Sequence, residues 1–494
     1  MSDAVPPSQP EPLGTGSRTH HVYRGPKTEL RYTAVADWIT LREHDEPVAS
    51  LFYTAYLADR PEGSDPAQRP ITFVFNGGPG SASVWLHLGL VGPRRLAFAE
   101  DGGLLPPPTQ LVDNPESWLP FTDIVCIDPI GTGFSRTHEH GPKAADAKPA
   151  EKPPEPSRFW EVERDLQSIS EAITRILTKE GRWLSPVTVA GESYGGFRVA
   201  RLARSLQEDH GVTLSAAVLI SPGIELSTLV PHDYGIEHFI ELFPSLAATA
   251  HEHGRAGEGT SEAEHRRDAE DFAASDLPAL LVRGAHMPDA QAVRVCARAA
   301  ELTGIAADRW LRAGGRVSRE DFCRELLRDQ GRFVGRYDGT ITSVDPFPAR
   351  ASYEGPDITL GGITGAFTAG IHHLLFTELG VKTELPYVTL NMEANLAWKD
   401  KSMAHFIDIT GKSMDALRYG MALNPHMKVL ISHGHHDLVT PYSSCDRLVR
   451  LLALHNDQRE QLATEHFRGG HMFYSQPDSR AAFTARVRRL LSPA

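Results

Sequence analysis

The chain has 494 residues, 41% hydrophobic and 23% charged, with 50 Lys and Arg against 63 Asp and Glu and a net charge of −13. That acidic balance, with no basic stripe, argues against nucleic acid or an anionic membrane as the main partner, because phosphate binding needs a clustered positive patch. No run approaches the roughly 18 apolar residues of a membrane span, and four scattered cysteines without a CxxC pair suit a reducing cytoplasm better than a disulfide-stapled fold.

In chain order, the start MSDAVPPSQPEPLGTG is polar and proline-rich and lacks the charged-then-apolar order of an export signal, so residues 1–20 read as a disordered tail. LRYTAVADWITL and VASLFYTAYLA, joined by the charged turn REHDEP, predict an antiparallel hairpin. PITFVFNGGPG and FTDIVCIDPIGTGFS each run from an apolar strand into a glycine turn, as central strands covered on both faces do. HEHGPKAADAKPAEKPPEPS reads as a flexible loop. Beyond it, Leu166, Ile169, Ile173, Ile176 and Leu177 keep helical spacing.

VTVAGESYGGFRVA and AAVLISPG continue the alternation of strand and helix, which predicts a largely parallel sheet with helices on both faces. The rhythm breaks after Gly223 and resumes at MKVLISHGHHD. The organisation expected is therefore a core in two parts, 21–223 and 391–494, around a mainly helical cap at 224–390, its helices broken by GRAGEGTSEAEHRRDAED.

GESYG places Ser193 on a tight strand-to-helix turn, where small neighbours let the hydroxyl stand clear of the sheet. A hydroxyl needs a base to take its proton and an acid to orient that base. Downstream, Asp437 follows a strand in KVLISHGHHDLVTPY, and His471 lies in the glycine-flanked loop HFRGGHMFY, in the order Ser, Asp, His. Backbone N–H groups must also meet the charge that develops on the carbonyl oxygen. Tyr194, next to the nucleophile, and Gly78, in NGGPG, are the candidates. HGHHD carries three histidines without a partnering pattern such as HExxH, so no metal and no cofactor is expected.

NGGPG with SAS, the Gly92–Pro93 pair, DPIGTGFS, GESYGG, DLVTP and GHMFYSQP together resemble the serine carboxypeptidase family, peptidase family S10, in a bacterial cytoplasmic-type form, from about residue 70 to the end. The resemblance implies an α/β-hydrolase fold with a cap over the site and removal of C-terminal residues from a peptide substrate through an acyl-enzyme. It also implies that Asn76 and Glu192 hold the substrate carboxylate, with Glu192 protonated and donating a hydrogen bond. Three positions depart from the family pattern. Val74 stands where Trp is frequent, Leu90 (counting without gaps) where a second Glu is frequent, and Ser81 where Cys usually follows NGGPG. The competing readings are a proline-directed aminopeptidase or an esterase on the same fold, or an inactive hydrolase that serves as a binding module. Asn76 and GHMFYSQP favour the carboxypeptidase, and the intact Ser-Asp-His order disfavours the inactive module.

Overall fold

A computed structural model describes residues 13–492 apart from 27, 61–62, 139–155, 351 and 399–412. The proline-rich loop expected at 138–157 therefore lies almost wholly outside the described residues. Strands β1 (Ser17–Gly25), β2 (Thr28–Glu43), β3 (Glu46–Ala58), β4 (Ile71–Phe75), β5 (Asp123–Ile127), β6 (Val187–Glu192), β7 (Leu214–Ile220), β8 (Lys428–Gly434) and β9 (Leu462–Phe467) form one sheet. Its order is β1-β2-β3-β5-β4-β6-β7-β8-β9. The first three strands and β5 pair antiparallel, and from β5 to β9 every pairing is parallel.

The hairpin predicted at the start is β2–β3, turned by His44 and Asp45 at φ 47° and 70°, the left-handed pair that suits strand twist. Residues 1–12 of the expected disordered tail lie outside the described residues, but residues 17–20 do not belong to a tail. They open β1, with Ser17 to His20 opposite Ala36 to Thr33 on β2. Pairing there satisfies backbone groups that β2 would otherwise leave open at its edge.

Strands β4, β5 and β6 are buried along their whole length, and their side chains alternate between two apolar clusters. Phe73 and Phe75 point into the one that holds Ile173, Leu177 and Leu202, while Val74 points into the one that holds Leu88, Phe367 and Phe483. The first cluster packs helices α1 (Val162–Lys179) and α2 (Tyr194–Glu208), and α1 uses the five apolar positions whose spacing marks it in the sequence.

The stretch 224–390 divides in two. Helices α3 (Glu237–Glu252), α4 (Glu262–Ala274) and α5 (Asp289–Thr303), with shorter helices up to Glu325, enclose a third apolar cluster containing Phe243, Phe272, Trp310 and Phe322. Helix α6 (Gly361–His372) instead joins the hydrolase core, its Phe367 ring 4.6 Å from that of Trp85. Between these parts Arg332–Val334 pairs with Thr342–Val344, so the cap is not purely helical. The charged run read as a helix break starts one: Ser261 caps α4 in a reciprocal box with Glu264, and only the glycines before it interrupt the chain.

Phe243 is fully buried in the cap cluster. Phe243→Ala should lower unfolding free energy by roughly 3–5 kcal/mol in urea titrations. A loss below about 1 kcal/mol would mean that this cluster contributes little to the cooperative unit.

Candidate active site

Ser193 joins β6 to α2 at φ 61° and ψ −125°, a region that side chains avoid. Its N–H donates to the Ile220 carbonyl at 3.0 Å, and its carbonyl accepts from Gly196 at 2.8 Å and Gly223 at 3.1 Å. The flanking glycines are required by contact. A Cβ on Gly191 would lie 2.2 Å from the Gly195 carbonyl oxygen, and one on Gly195 2.6 Å from that of Phe75.

Asp437 follows β8 and His471 follows β9. Asp437 Oδ2 accepts from His471 Nδ1 at 2.7 Å, and Oδ1 accepts from the Val439 and Thr440 amides at 2.8 and 3.0 Å. The Thr440 hydroxyl sits 2.7 Å from Asp437 Oδ2, and that of Ser221 donates to the His471 carbonyl at 2.8 Å. Burial works against a charged His471, but the Asp437 carboxylate, with Glu192 adding, outweighs it and holds the imidazole above its ordinary pKa. With Nδ1 engaged by Asp437, Nε2 is the nitrogen left for proton transfer.

A cavity of about 560 Å³ is lined by Ser193 and His471 together with Asn76, Gly78 and Glu192. Asp437, fully buried, stands behind His471. The glycines of the NGGPG loop pack tightly on the elbow, since a Cβ on Gly77 would meet the Tyr194 amide nitrogen at 2.4 Å. The Gly78 and Tyr194 backbones thus lie in one neighbourhood beside Ser193.

Glu192 is 2% exposed. Its Oε2 accepts from Asn76 Nδ2 and, at 2.8 Å, from the Tyr474 hydroxyl, while Oε1 is buried with no hydrogen-bond partner. Burial pushes its pKa up to about 7, against the opposing pull of His471, Tyr474 and Asn76. The Asn76 carbonyl oxygen of the side chain is engaged by the Leu86 amide at 2.9 Å.

Several residues around the site carry no signal in the sequence. Arg198, fully buried on α2, pairs with Asp165 of α1 at 2.6 and 3.1 Å and donates to the Asn76 backbone carbonyl at 2.5 Å, tying the NGGPG loop to both helices. Arg336 to Ile341 thread between the loops of Asp437 and His471: Tyr337 O accepts from His471 N at 2.5 Å and Gly339 N donates to His436 O at 2.9 Å. His253 bonds the Gly339 carbonyl at 2.7 Å. Of the three departures, Val74 and Leu90 lie in the apolar cluster and do not line the cavity, whereas Ser81 does. Leu90 falls in the widened turn His87–Val91, where counting without gaps does not preserve side-chain direction. The group that does meet Glu192 from this side is the phenol of Tyr474.

The strand order and the serine elbow define an α/β-hydrolase fold. Residues 26–225 match the model of the family Peptidase_S10, serine carboxypeptidase, a span that includes Asn76, Gly78, Glu192 and Ser193 and ends before Asp437 and His471. No curated protein matches the chain. Among solved structures it is similar to Kex1Δp, a prohormone-processing carboxypeptidase from Saccharomyces cerevisiae, at 14% identity over 93% of this chain and 91% of that one, with a TM-score of 0.50. It is also similar to the peroxisomal α/β-hydrolase Lpx1 of the same yeast, at 12% identity over 98% and 91% of the two chains and a TM-score of 0.38. At 14% identity the likeness to Kex1Δp bears on the fold alone. Family match and fold together point to a hydrolase.

Ser193→Ala and His471→Ala should each lower kcat about 10⁶-fold on any substrate the site turns over, because such residues act as a unit. Asp437→Asn should cost about 10⁴-fold. An active Asp437→Asn enzyme would place the orienting acid elsewhere.

Proposed function

We propose that the protein is a serine carboxypeptidase that releases C-terminal residues from peptides. The observation that carries this reading is Glu192: a buried carboxyl directly before the serine, with Oε2 fully engaged and Oε1 free in the wall of the same cavity. With Asn76 and Tyr474 donating to Oε2, a proton on Glu192 sits on Oε1. It can then donate to the carboxylate of a peptide end, and the second Asn76 amide hydrogen is a further donor.

In this reading His471 Nε2 takes the proton of Ser193 as Oγ attacks the last peptide carbonyl, and Asp437 stabilises the imidazolium. The N–H groups of Gly78 and Tyr194 meet the oxyanion, at the N-terminus of α2 where developing negative charge is favoured. His471 returns the proton to the leaving amine. Water, deprotonated by the same base, then hydrolyses the acyl-enzyme. A carboxylate-bearing leaving group is what distinguishes this reading from an esterase or an aminopeptidase on the same fold.

The pH profile tests it. His471 must be neutral to act as base, so activity rises with pH through its pKa. Glu192 must be protonated to hold the carboxylate, so activity on free-acid peptides falls as pH rises through about 7. The two groups interact, so the limbs of this narrow bell belong to the pair. Glu192→Gln keeps a neutral donor at every pH and should flatten the alkaline limb, and peptide amides should be poor substrates for both enzymes. Equal turnover of acids and amides, with an unchanged limb in Glu192→Gln, would exclude the carboxypeptidase. Absence of Ser193-dependent fluorophosphonate labelling would favour a binding module.

A further inference from the structure

Nine acidic side chains of the described residues are buried, and six of them face a cation. Asp123 has Arg69 and Arg182, and Asp165 has Arg198. Glu241 has Arg447, Asp345 has Arg324, Asp357 has Arg336, and Asp437 has His471. Asp128, Glu192 and Asp338 have no ion pair among the described residues. Asp128 accepts from the Ser83 amide at 2.8 Å and lies outside the cavity. Glu192 and Asp338 both line it.

An unpaired buried carboxylate is expensive, and proteins retain one where something else supplies its partner. Asp338 is 7% exposed, on the cap segment that bridges the two triad loops. Its Oδ1 accepts from the Thr340 amide and hydroxyl at 2.9 and 2.7 Å, which fixes the side chain. Gly470 packs against its Cα, next to His471. Burial raises its pKa to about 6, opposed by the donors of Thr340 and the Gly470 amide, with Asp437 adding a smaller upward push. The nearest comparison is Asp357 on the same wall of the cap, whose charge is answered at 2.7 Å by Arg336. Arg332 also lines the cavity, but its guanidinium is held by Thr342.

We propose that Asp338 recognises a positively charged group of the substrate, supplied by a lysine or arginine side chain or by the free α-ammonium of a short peptide. The proposal deepens the carboxypeptidase reading and rests on it: Glu192 accommodates the negative end of the substrate, and Asp338 answers a positive group elsewhere on the same molecule. The substrate class is then cationic peptides, and Asp338 is a determinant of specificity.

The test compares kcat/KM in three matched pairs: lysine against norleucine at the penultimate position, the same pair at the last position, and dipeptides with free against acetylated N-termini. Asp338→Asn retains the acceptor for Thr340, so the turn persists, as circular dichroism will check. In the wild type at least one cationic partner should be preferred, and Asp338→Asn should reduce that ratio by about 30-fold or more, as removing one member of a buried charge pair does. The pair affected identifies the source of the charge, and Asp338→Glu should keep part of the preference. Ratios unchanged in all three pairs would overturn the proposal, as would a uniform loss on cationic and neutral substrates alike. Presenting lysine and norleucine as p-nitrophenyl esters reads the same ratio from acylation alone, so failure of the carboxypeptidase reading is seen separately, as indifference of the wild type to a free C-terminal carboxylate.

Discussion

Ser193 can remain at φ 61° only while its surroundings hold it, because the conformation costs on the order of 1–3 kcal/mol. Three backbone hydrogen bonds, to Ile220, Gly196 and Gly223, do so, and they come from the next strand, the elbow helix and the chain that leaves the sheet. The absence of a Cβ at Gly191 and Gly195 lets α2 come down onto the ends of β4 and β6. From that constraint follow the place of the hydroxyl above the sheet edge, the alignment of the Tyr194 amide, and the seating of Gly77 against it. Arg198 extends the constraint outward, since one buried guanidinium spans α1 and the carbonyl of Asn76.

The electrostatics of the cavity are those of charges kept dry. Asp437 accepts hydrogen bonds from two amides, a hydroxyl and the imidazole, so both its oxygens are engaged. Glu192 has neutral donors on one oxygen only, and burial raises it toward the protonated form. The two carboxyls beside one imidazole thus sit in different environments, one with donors on both oxygens and the other with donors on one.

The cap does more than cover. Its segment from Arg336 to Ile341 donates to and accepts from the loops bearing Asp437 and His471, and the Tyr337 ring stacks edge-on to the imidazole at 5.5 Å. The cap's apolar cluster also takes in Leu438, next to Asp437, so the same packing that holds the cap together reaches the loop after β8. The strap from Arg336 to Ile341 is also where Asp338 enters the cavity.

The sequence by itself determined what contiguous residues determine. The hairpin, the buried strands, helix α1, and the glycine-flanked serine all follow from local periodicity and turn chemistry, and the order Ser193, Asp437, His471 could be read from strand ends. Glu192 was marked only through the family resemblance. What only the tertiary structure decided are contacts between distant segments: the phenol of Tyr474 reaching Glu192 across 282 positions, Arg198 meeting Asp165 across 33, and the cap strap lying on the triad loops. β1 belongs with these, because a polar alternating segment becomes strand only when a partner edge offers its hydrogen bonds. Helical spacing says that Arg198 lies on a helix, but not that its face is buried against another acid. Composition says that Asp338 is charged, but only packing left that charge without a cation in the wall of the cavity.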